Sequence, residues 1–390
     1  MEFSKRMESF KPGIFSVLAQ MKEERIRQGK SVVDLSVGTP NIPPAPHITE
    51  ALAESARDGK NYVYALGDTA ELLNAAAAWY KRRYGVVLDP ETEISSLLGS
   101  QDGLSHIALT IVDPGDLVLV PDPGYPVFSD GPALAGAELY LVPQKRENGY
   151  LADLSAIPED VARRAKFMVV SYPNNPTASV APPSFYKELV AFAKKYEIAV
   201  LHDNAYSELV FEGGPCGSFL GCEGAKDVGV EFNSLSKTYG MAGARIGFAL
   251  GNAKMISMLK TLKSNLDYGM FLPVQKAAVA ALTGPQECVE STRLAYRNRR
   301  DVLVDGLNAA GWKIEKPKAT MFVWARIPEP FSDSVAFTRV LFEKTGVLVT
   351  PGRAFGPSGE GCVRMALVQD EPIMREAVRK IAESGILMPR

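Results

Sequence analysis

The chain has 390 residues, of which 46% are hydrophobic and 23% charged, as in an ordinary globular protein. A formal net charge of -2 gives no electrostatic indication of binding to nucleic acid or an anionic membrane. No apolar run approaches the ~20 residues of a membrane-spanning helix. The four cysteines form no CxxC pair and the three histidines are scattered, so we expect a cytoplasmic protein with reduced thiols and no metal site.

Short apolar runs alternate with helical patterns along the first three quarters of the chain. The predicted strands are 94–98, 117–120, 138–142, 167–171, 199–202, 228–232 and 246–250. Helical patterns between them include 103–112, 183–196 and 253–262. This alternation is typical of an α/β fold with a mostly parallel, seven-stranded sheet between helices.

The pattern changes near residue 285. A long charged helix, 287–310, leads into strands 321–326, 347–350 and 363–367, and a last helix begins at about Glu371. A chain of this length favours two domains. We therefore expect a large domain over 46–284 and a smaller α+β domain over 285–390, which an N-terminal arm, 1–45, joins.

Polar and aromatic residues follow the first predicted strands. Ser100 and Gln101 come after strand 94–98 and open a helix, whose free N–H groups and dipole suit an anion. N-capping by Ser100 is the plainer alternative, and the two roles are compatible. Tyr125 lies in a Pro-Gly-Tyr-Pro turn, where it could stack on a flat heterocycle, although a lone tyrosine is more often a packing residue.

The next two strands end in Asn175 and Asp203. The Asn175-Pro176 step favours an extended backbone that aims the amide into a cleft, with turn initiation as the alternative. A carboxylate at the end of a buried strand is costly unless it meets a positive partner, and a protonated pyridine nitrogen is such a partner. A helix N-cap by Asp203 is the alternative.

The segment 233–247, NSLSKTYGMAGARIG, is the most informative stretch. Lys237 lies in a Gly/Ser-rich turn between two apolar runs, where desolvation lowers an amine's pKa and favours a Schiff base with an aldehyde. Ser234, Ser236 and Arg245 supply hydroxyls and a fork of donors suited to a phosphate. An aldehyde that carries a phosphate is pyridoxal 5'-phosphate (PLP); a lysine exposed in a loop is the alternative.

These residues run in order along the chain at successive strand ends, and in this they resemble the class I/II aminotransferases of PLP fold type I. The motifs Asn-Pro-Thr, Asp-x-Ala-Tyr and Ser-x-x-Lys…Arg carry the resemblance, together with Gly38 and Arg364. It covers nearly the whole chain. It implies a PLP-dependent transfer of an amino group between an L-amino acid and a 2-oxo acid by a ping-pong mechanism.

The resemblance also implies roles for individual residues. Lys237 forms the Schiff base and shuttles the proton, and Asp203 pairs with the pyridine nitrogen. Asn175 and Tyr206 are expected to bond the ring oxygen, and Tyr125 to stack on the ring. The residues expected around the phosphate are Ser100, Gln101, Ser234, Ser236 and Arg245. Arg364 is expected to bind the substrate carboxylate, together with Gly38 and Asn175.

The family further places a tyrosine of segment 62–67 against the phosphate of the partner subunit. Tyr64 is the expected residue and Tyr62 the alternative, because the chain is about one residue shorter than the family in this segment. The resemblance thereby implies a homodimer with shared active sites.

Within the family, the chain looks most like the LL-diaminopimelate aminotransferase-like group. Gly13 and Gln101 stand where that group has a tyrosine and a lysine, so we expect a different distal pocket and a broader choice of amino acids. Asn-Pro-Thr is followed by Ala178 instead of glycine, which requires a non-positive φ or mild strain.

Two other functions fit parts of the pattern. A PLP-dependent C–S β-lyase shares the fold and the lysine chemistry, and only the substrate's leaving group distinguishes it. A non-catalytic PLP-sensing module normally accompanies a DNA-binding domain, and only about 30 residues precede the segment beginning at Ser31. The complete series of site residues favours transamination.

Overall fold

The computed structural model describes residues 14–212 and 217–387, together with four positions before residue 14. Within these ranges the strands are β1 (Val33–Asp34), β2 (Ile94–Leu97), β3 (Leu117–Asp122), β4 (Glu138–Pro143), β5 (Ala165–Ser171), β6 (Ala199–Asp203), β7 (Gly229–Ser234), β8 (Gly247–Gly251), β9 (Phe322–Arg326), β10 (Val347–Leu348), β11 (Thr350–Pro351) and β12 (Cys362–Ala366).

The helices of the same ranges are α1 (Ile14–Arg27), α2 (Pro46–Arg57), α3 (Ala70–Tyr84), α4 (Ser100–His106), α5 (Ala108–Ile111), α6 (Val127–Ala135), α7 (Glu159–Arg164), α8 (Pro183–Tyr196), α9 (Ala225–Val228), α10 (Leu235–Thr238), α11 (Ala253–Leu266), α12 (Leu272–Thr283), α13 (Glu287–Ala309), α14 (Ser334–Thr345) and α15 (Glu371–Glu383). Among the described residues, no helix is long and apolar enough to cross a bilayer.

The central sheet has seven strands in the order β2-β8-β7-β6-β5-β3-β4. Strand β8 is antiparallel to both of its neighbours, and every other adjacent pair is parallel. The predicted mostly parallel, seven-stranded sheet is therefore confirmed. As a result, β2, β3, β4, β5, β6 and β7 all end at one edge of the sheet, and β8 begins there.

Apolar side chains fill both faces of this sheet. One core cluster packs α3, α8 and α12 around residues such as Trp79, Tyr80 and Phe185. A second lies under α4, α6 and α11 and includes Phe128 and Phe232. Successive strand residues serve opposite faces, so strands buried on both sides consist of nearly continuous apolar residues.

The C-terminal part forms a small three-stranded antiparallel sheet, β11-β12-β9, with its own core. Val33 on β1 pairs with Val347 on β10 in a parallel ladder, which attaches the N-terminal segment to this part of the chain. Leu18 of α1 packs against Phe342 and Leu348 beside it.

Two predicted elements differ from the structure. The single strand 347–350 is wrong: Val347 pairs with Val33, whereas Thr350 pairs with Arg364 in another sheet. The helix 103–112 begins three residues earlier, at Ser100, after Gly99 with a φ of 84°, and it divides into α4 and α5. Both differences depend on tertiary neighbours and not on local apolar spacing.

Candidate active site

A pocket of about 500 Å³ opens at the edge where six strands of the central sheet end. All predicted site residues except Tyr64 line it. They are Gly38, Ser100, Gln101, Tyr125, Asn175, Asp203, Tyr206, Ser234, Ser236, Lys237, Arg245 and Arg364. Ligands of open α/β sheets bind at such carboxyl edges, so the strand ends bring these residues together.

Lys237 lies on the short helix α10, which begins directly after β7. Ser234 caps this helix by accepting a hydrogen bond from the Ser236 N–H at 3.2 Å. Lys237 Nζ donates to the Gly38 carbonyl at 3.0 Å. Burial, and then the positive charges of Arg364 and Arg245, lower the pKa of Lys237 to about 8. A larger fraction of neutral, nucleophilic amine therefore exists near neutral pH than in an exposed lysine.

Asp203 ends β6 and is only 6% exposed. Its Oδ2 accepts a hydrogen bond from Ser171 Oγ at 3.4 Å, and its Oδ1 is buried with no hydrogen-bond partner. Burial raises the pKa of Asp203 to about 6, against the opposing effects of His202 and the Ala205 N–H. A protonated pyridine nitrogen would supply this buried carboxylate oxygen with a donor.

The hydroxyl and guanidinium groups expected around a phosphate meet at one end of the pocket. Ser100 and Gln101 occupy the first turn of α4, whose leading N–H groups have no partner within the helix. Arg245, with a φ of 54°, lies two residues before the start of β8. A Cβ on Gly99 would lie 2.5 Å from Arg245 Nη2, so the close approach of this guanidinium to α4 requires glycine. This set of donors fits a phosphate.

Arg364, at the centre of β12, reaches the same pocket from the C-terminal sheet. Its side chain is 2% exposed. Nη1 donates to Asn175 Oδ1 and Nη2 to the Ser36 carbonyl, both at 2.8 Å. Burial lowers the pKa of Arg364 to about 10, a value that still leaves the guanidinium charged at neutral pH.

The aromatic and amide residues surround the middle of the pocket. Tyr125 Oη donates to Gln101 Oε1 at 3.3 Å, and the Tyr206 ring lies edge-on to Phe322, with centroids 5.6 Å apart. Burial raises the pKa of both tyrosines, so both phenols stay protonated. Asn175 accepts from Arg364 through Oδ1, which makes its NH₂ the group suited to donate to a ring oxygen.

Three residues of the sequence analysis lie outside this arrangement. Tyr64 is 84% exposed on the protein surface. Gly13 falls outside the described residues. Ala178 is buried and adopts a φ of 60°, so of the two alternatives predicted for it, the strained one is observed.

Sequence reasoning missed several residues of the pocket. Phe322 lines it, and a Cβ on Gly38 would lie 2.6 Å from the Phe322 ring, which explains the glycine. Ser171 reaches Asp203, and the Ser36 carbonyl holds Arg364. Ser171 stands at the end of a predicted strand and could have been found by that rule, whereas an isolated phenylalanine gives no such signal.

A second polar cluster lies beside α4. Asp102, His106 and Asp267 come close enough to form a potential metal site. However, Lys263 Nζ donates to Asp102 at 2.6 Å and to Asp267 at 2.8 Å. The ammonium group takes the position between the carboxylates that a cation would need, and the cluster is an ion-pair network.

Comparison with known proteins agrees with this geometry. A family model described as "Aminotransferase class I and II" matches residues 30–381. The LL-diaminopimelate aminotransferase of Moorella thermoacetica is 45% identical over 98% of both chains.

Solved structures give the same result. A substrate-bound BacF structure from Bacillus subtilis superposes with a TM-score of 0.95 at 40% identity, over 98% of both chains. A probable N-succinyldiaminopimelate aminotransferase from Thermus thermophilus has a TM-score of 0.90 at 38% identity, over 95% of this chain and 100% of that one. The chain therefore belongs to the class I and II aminotransferases, a family of PLP-dependent enzymes.

Proposed function

We propose that this enzyme moves an amino group between an L-amino acid and a 2-oxo acid, by a ping-pong cycle, in the pocket at the carboxyl edge of the central sheet. One observation supports the assignment of the site above all. The pocket combines an amine with a lowered pKa, Lys237, a buried carboxylate oxygen without a donor, on Asp203, and a buried guanidinium, on Arg364.

Bound PLP supplies an electron sink that stabilises negative charge on the substrate's α-carbon. In the proposal, Asp203 keeps the pyridine nitrogen protonated, because its negative charge in a poorly solvated pocket favours the charged form of the ring. Lys237 would hold the cofactor and, as a neutral amine, would take the proton from the substrate's α-carbon and carry it as an ammonium. Tyr125 covers the ring, and Asn175 and Tyr206 donate to the ring oxygen.

Arg364 binds the α-carboxylate of amino and oxo acids alike. A planar guanidinium offers two parallel N–H donors, which suit a carboxylate better than a lysine ammonium does. Ser100, Gln101, Ser234, Ser236 and Arg245 hold the phosphate. Gly38 contributes the carbonyl that keeps Lys237 at the pocket wall.

We propose a homodimer in which Tyr64 reaches the partner's phosphate. The supporting feature is an exposed apolar surface that two segments, 62–66 and 266–271, form together. Tyr64 and Tyr268 have ring centroids 6.0 Å apart, and the Gly269 N–H donates to the Ala65 carbonyl at 2.7 Å. Surfaces of this kind mark protein interfaces. Tyr62 is the weaker choice, because its hydroxyl already donates to the Ala56 carbonyl of its own chain at 2.9 Å.

The remaining parts of the proposal concern domains and location. A large domain over 46–284 and a small one over 285–390 with the arm 1–45 are consistent with the separate core of the C-terminal sheet. Cys222, Cys288 and Cys362 are free thiols among the described residues, which supports a reducing, cytoplasmic compartment.

The relatives' names raise LL-diaminopimelate as a substrate, and we propose that it is at best one among several. Gln101 stands where the LL-diaminopimelate aminotransferase-like group has a lysine. Its Oε1 accepts a hydrogen bond from Tyr125 Oη at 3.3 Å. A site without that ammonium loses one ionic contact to a distal charged group, worth about 1.5–3 kcal/mol.

A substrate panel tests the function. Purified enzyme with PLP is assayed with common L-amino acids and with LL-diaminopimelate, against 2-oxoglutarate or pyruvate. We expect new amino acid and new oxo acid in equal amounts from several donors. Release of pyruvate and a thiol from cysteine conjugates, without an oxo acid acceptor, would assign the chain to the lyases instead. A preference for LL-diaminopimelate above about a hundredfold would contradict the broader specificity.

A further inference from the structure

Three hydrogen bonds join the last residue of β3 and the turn that follows it to the segment before β12. The Asp122 carboxylate, 4% exposed, accepts from the Ser358 N–H at 3.1 Å and from Ser358 Oγ at 2.6 Å. The Gly124 N–H donates to the Phe355 carbonyl at 2.8 Å. We call these three contacts the 122–358 latch. None of the roles proposed above uses them.

The latch fixes the position of one aromatic ring. Phe355 is 4% exposed, and its ring centroid lies 4.6 Å from Cζ of Arg364. Trp324 contacts the same ring in an edge-on arrangement, with centroids 6.0 Å apart. A buried cation over an aromatic face is stabilised by the quadrupole of the ring, and it also has its orientation restricted.

The backbone at the latch is adapted to the contact. Gly356 follows Phe355 with a φ of 122°, and a Cβ there would lie 2.1 Å from Asp122 Oδ1. Only glycine allows both this backbone conformation and this approach of the carboxylate. The absence of a side chain at position 356 therefore allows the Asp122 carboxylate to lie against the segment that carries Phe355.

We propose that Asp122 and Ser358 are positioning residues, which hold Phe355 against Arg364 and so fix the guanidinium that receives the substrate's α-carboxylate. The proposal rests on the proposed function of Arg364. The latch joins the end of β3 to the carboxylate-binding side of the pocket. Tyr125 lies in the turn that follows β3. The substrate carboxylate and the cofactor ring are thereby held at a fixed separation.

Ser358→Ala removes one bond of the latch, and Phe355→Leu removes the ring and leaves a smaller aliphatic side chain. Each should raise the KM for both the amino acid and the oxo acid by about three- to thirtyfold, the range for loss of a partly buried cation–π contact. The kcat should change by less than about threefold, and the visible absorption of the bound cofactor should be unchanged. Ser358→Thr, which keeps a hydroxyl at this position, should have the same KM as the unchanged enzyme.

The double variant distinguishes positioning from simple loss of packing. If the latch acts through Phe355, Ser358→Ala combined with Phe355→Leu should raise KM no further than Phe355→Leu alone. Ser155→Ala is the matched control, because Ser155 Oγ also donates to a carboxylate, Asp153, at 2.6 Å, but on the exposed surface. Its KM should equal that of the unchanged enzyme.

Binding without turnover separates this proposal from the proposed function. The affinity of the cofactor-free protein for a 2-oxo acid, measured by calorimetry, should fall by the same factor in Ser358→Ala, and by at least that factor in Asp122→Ala, which removes both acceptor oxygens. An unchanged KM and affinity, an additive double variant, or a loss that appears only as release of PLP would each overturn the latch. Absence of transamination by the unchanged enzyme would instead overturn the proposed function.

Discussion

Asp203 shows how one residue's surroundings determine its chemistry. The strand pattern places its carboxylate at the end of a buried strand, and the structure adds that one of its oxygens has no donor. Burial raises its pKa to about 6, so at neutral pH it is ionised and in need of a cationic partner. A simple helix-capping residue would have its oxygens satisfied by N–H groups.

Asp203→Asn keeps the shape of the side chain and removes its charge. We expect PLP to remain bound and the turnover rate to fall by about a hundred- to a thousandfold, as for other single groups that stabilise charge in a transition state. Cofactor content by absorbance and kcat by a coupled assay measure the two effects. Near-normal turnover would mean that Asp203 serves only the local backbone.

The lowered pKa of Lys237 predicts how the cofactor-free protein takes up PLP. Only the neutral amine attacks an aldehyde, so the rate constant of uptake should rise roughly tenfold per pH unit up to about pH 8 and then level off. Stopped-flow absorbance between pH 6.5 and 9.5 follows the reaction. Arg364→Gln removes a charge that lowers this pKa and should move the midpoint upward. A rate independent of pH would contradict the assignment.

At the same scale, sequence motifs predicted most of the pocket, because its polar residues stand at strand ends. Phe322 and Phe355 were not predicted. Each reaches Arg364 only through the packing of the C-terminal sheet, with the guanidinium carbon 4.2 and 4.6 Å from the two ring centroids. Distances of this kind depend on tertiary structure and leave no local pattern.

At the scale of elements, two helices are followed by residues in the same left-handed conformation, and only one of these residues is glycine. Helix α3 is followed by Gly85 with a φ of 70°, whereas α8 is followed by Glu197 with a φ of 57° in the same left-handed region. A residue with a Cβ is strained there, and glycine is not. The two helix ends therefore form a natural pair for comparison.

Glu197→Gly should stabilise the protein by about 1 kcal/mol, and Gly85→Ala should destabilise it by about the same amount. Glu197 is exposed and a Cβ on Gly85 would meet no atom within 4 Å, so packing does not interfere. Denaturant unfolding followed by circular dichroism measures both changes, and activity should not change. Destabilisation by Glu197→Gly would show that its side chain has an unrecognised role.

Apolar spacing predicted all seven strands of the central sheet, since most of them are apolar runs buried on both faces; β4, at the edge of the sheet, is largely exposed. It did not predict the division of 347–350 into β10 and β11. These two-residue strands exist because Val33 and Arg364 pair with them, from distant parts of the chain. Whether such short strands form depends on the position of their partner strands and not on the residues of the short strands themselves.

At the scale of the whole molecule, the proposed dimer is the part of the account that neither the motifs nor a single chain establishes. Tyr64 is 84% exposed and lies outside the pocket of its own chain. A role at the phosphate therefore requires a second copy of the chain. The test is whether Tyr64 acts on the partner's site.

Mixed dimers of Lys237→Ala and Tyr64→Ala subunits provide that test. Each variant alone should have little activity, but a mixed dimer contains one site with Lys237 from one subunit and Tyr64 from the other. Activity should therefore recover on mixing, and in the same proportion as mixed dimers form by native mass spectrometry. Tyr62→Ala mixed with Lys237→Ala is the control. No recovery would show that Tyr64 does not act across the interface.

The central claim is that Lys237 is the residue that holds PLP. Borohydride reduction of the enzyme with bound PLP fixes the cofactor to its lysine, and peptide mapping by mass spectrometry identifies the labelled residue. We predict a single pyridoxyl label on the peptide that contains Lys237, and none in Lys237→Ala. A label on any other lysine would contradict the account.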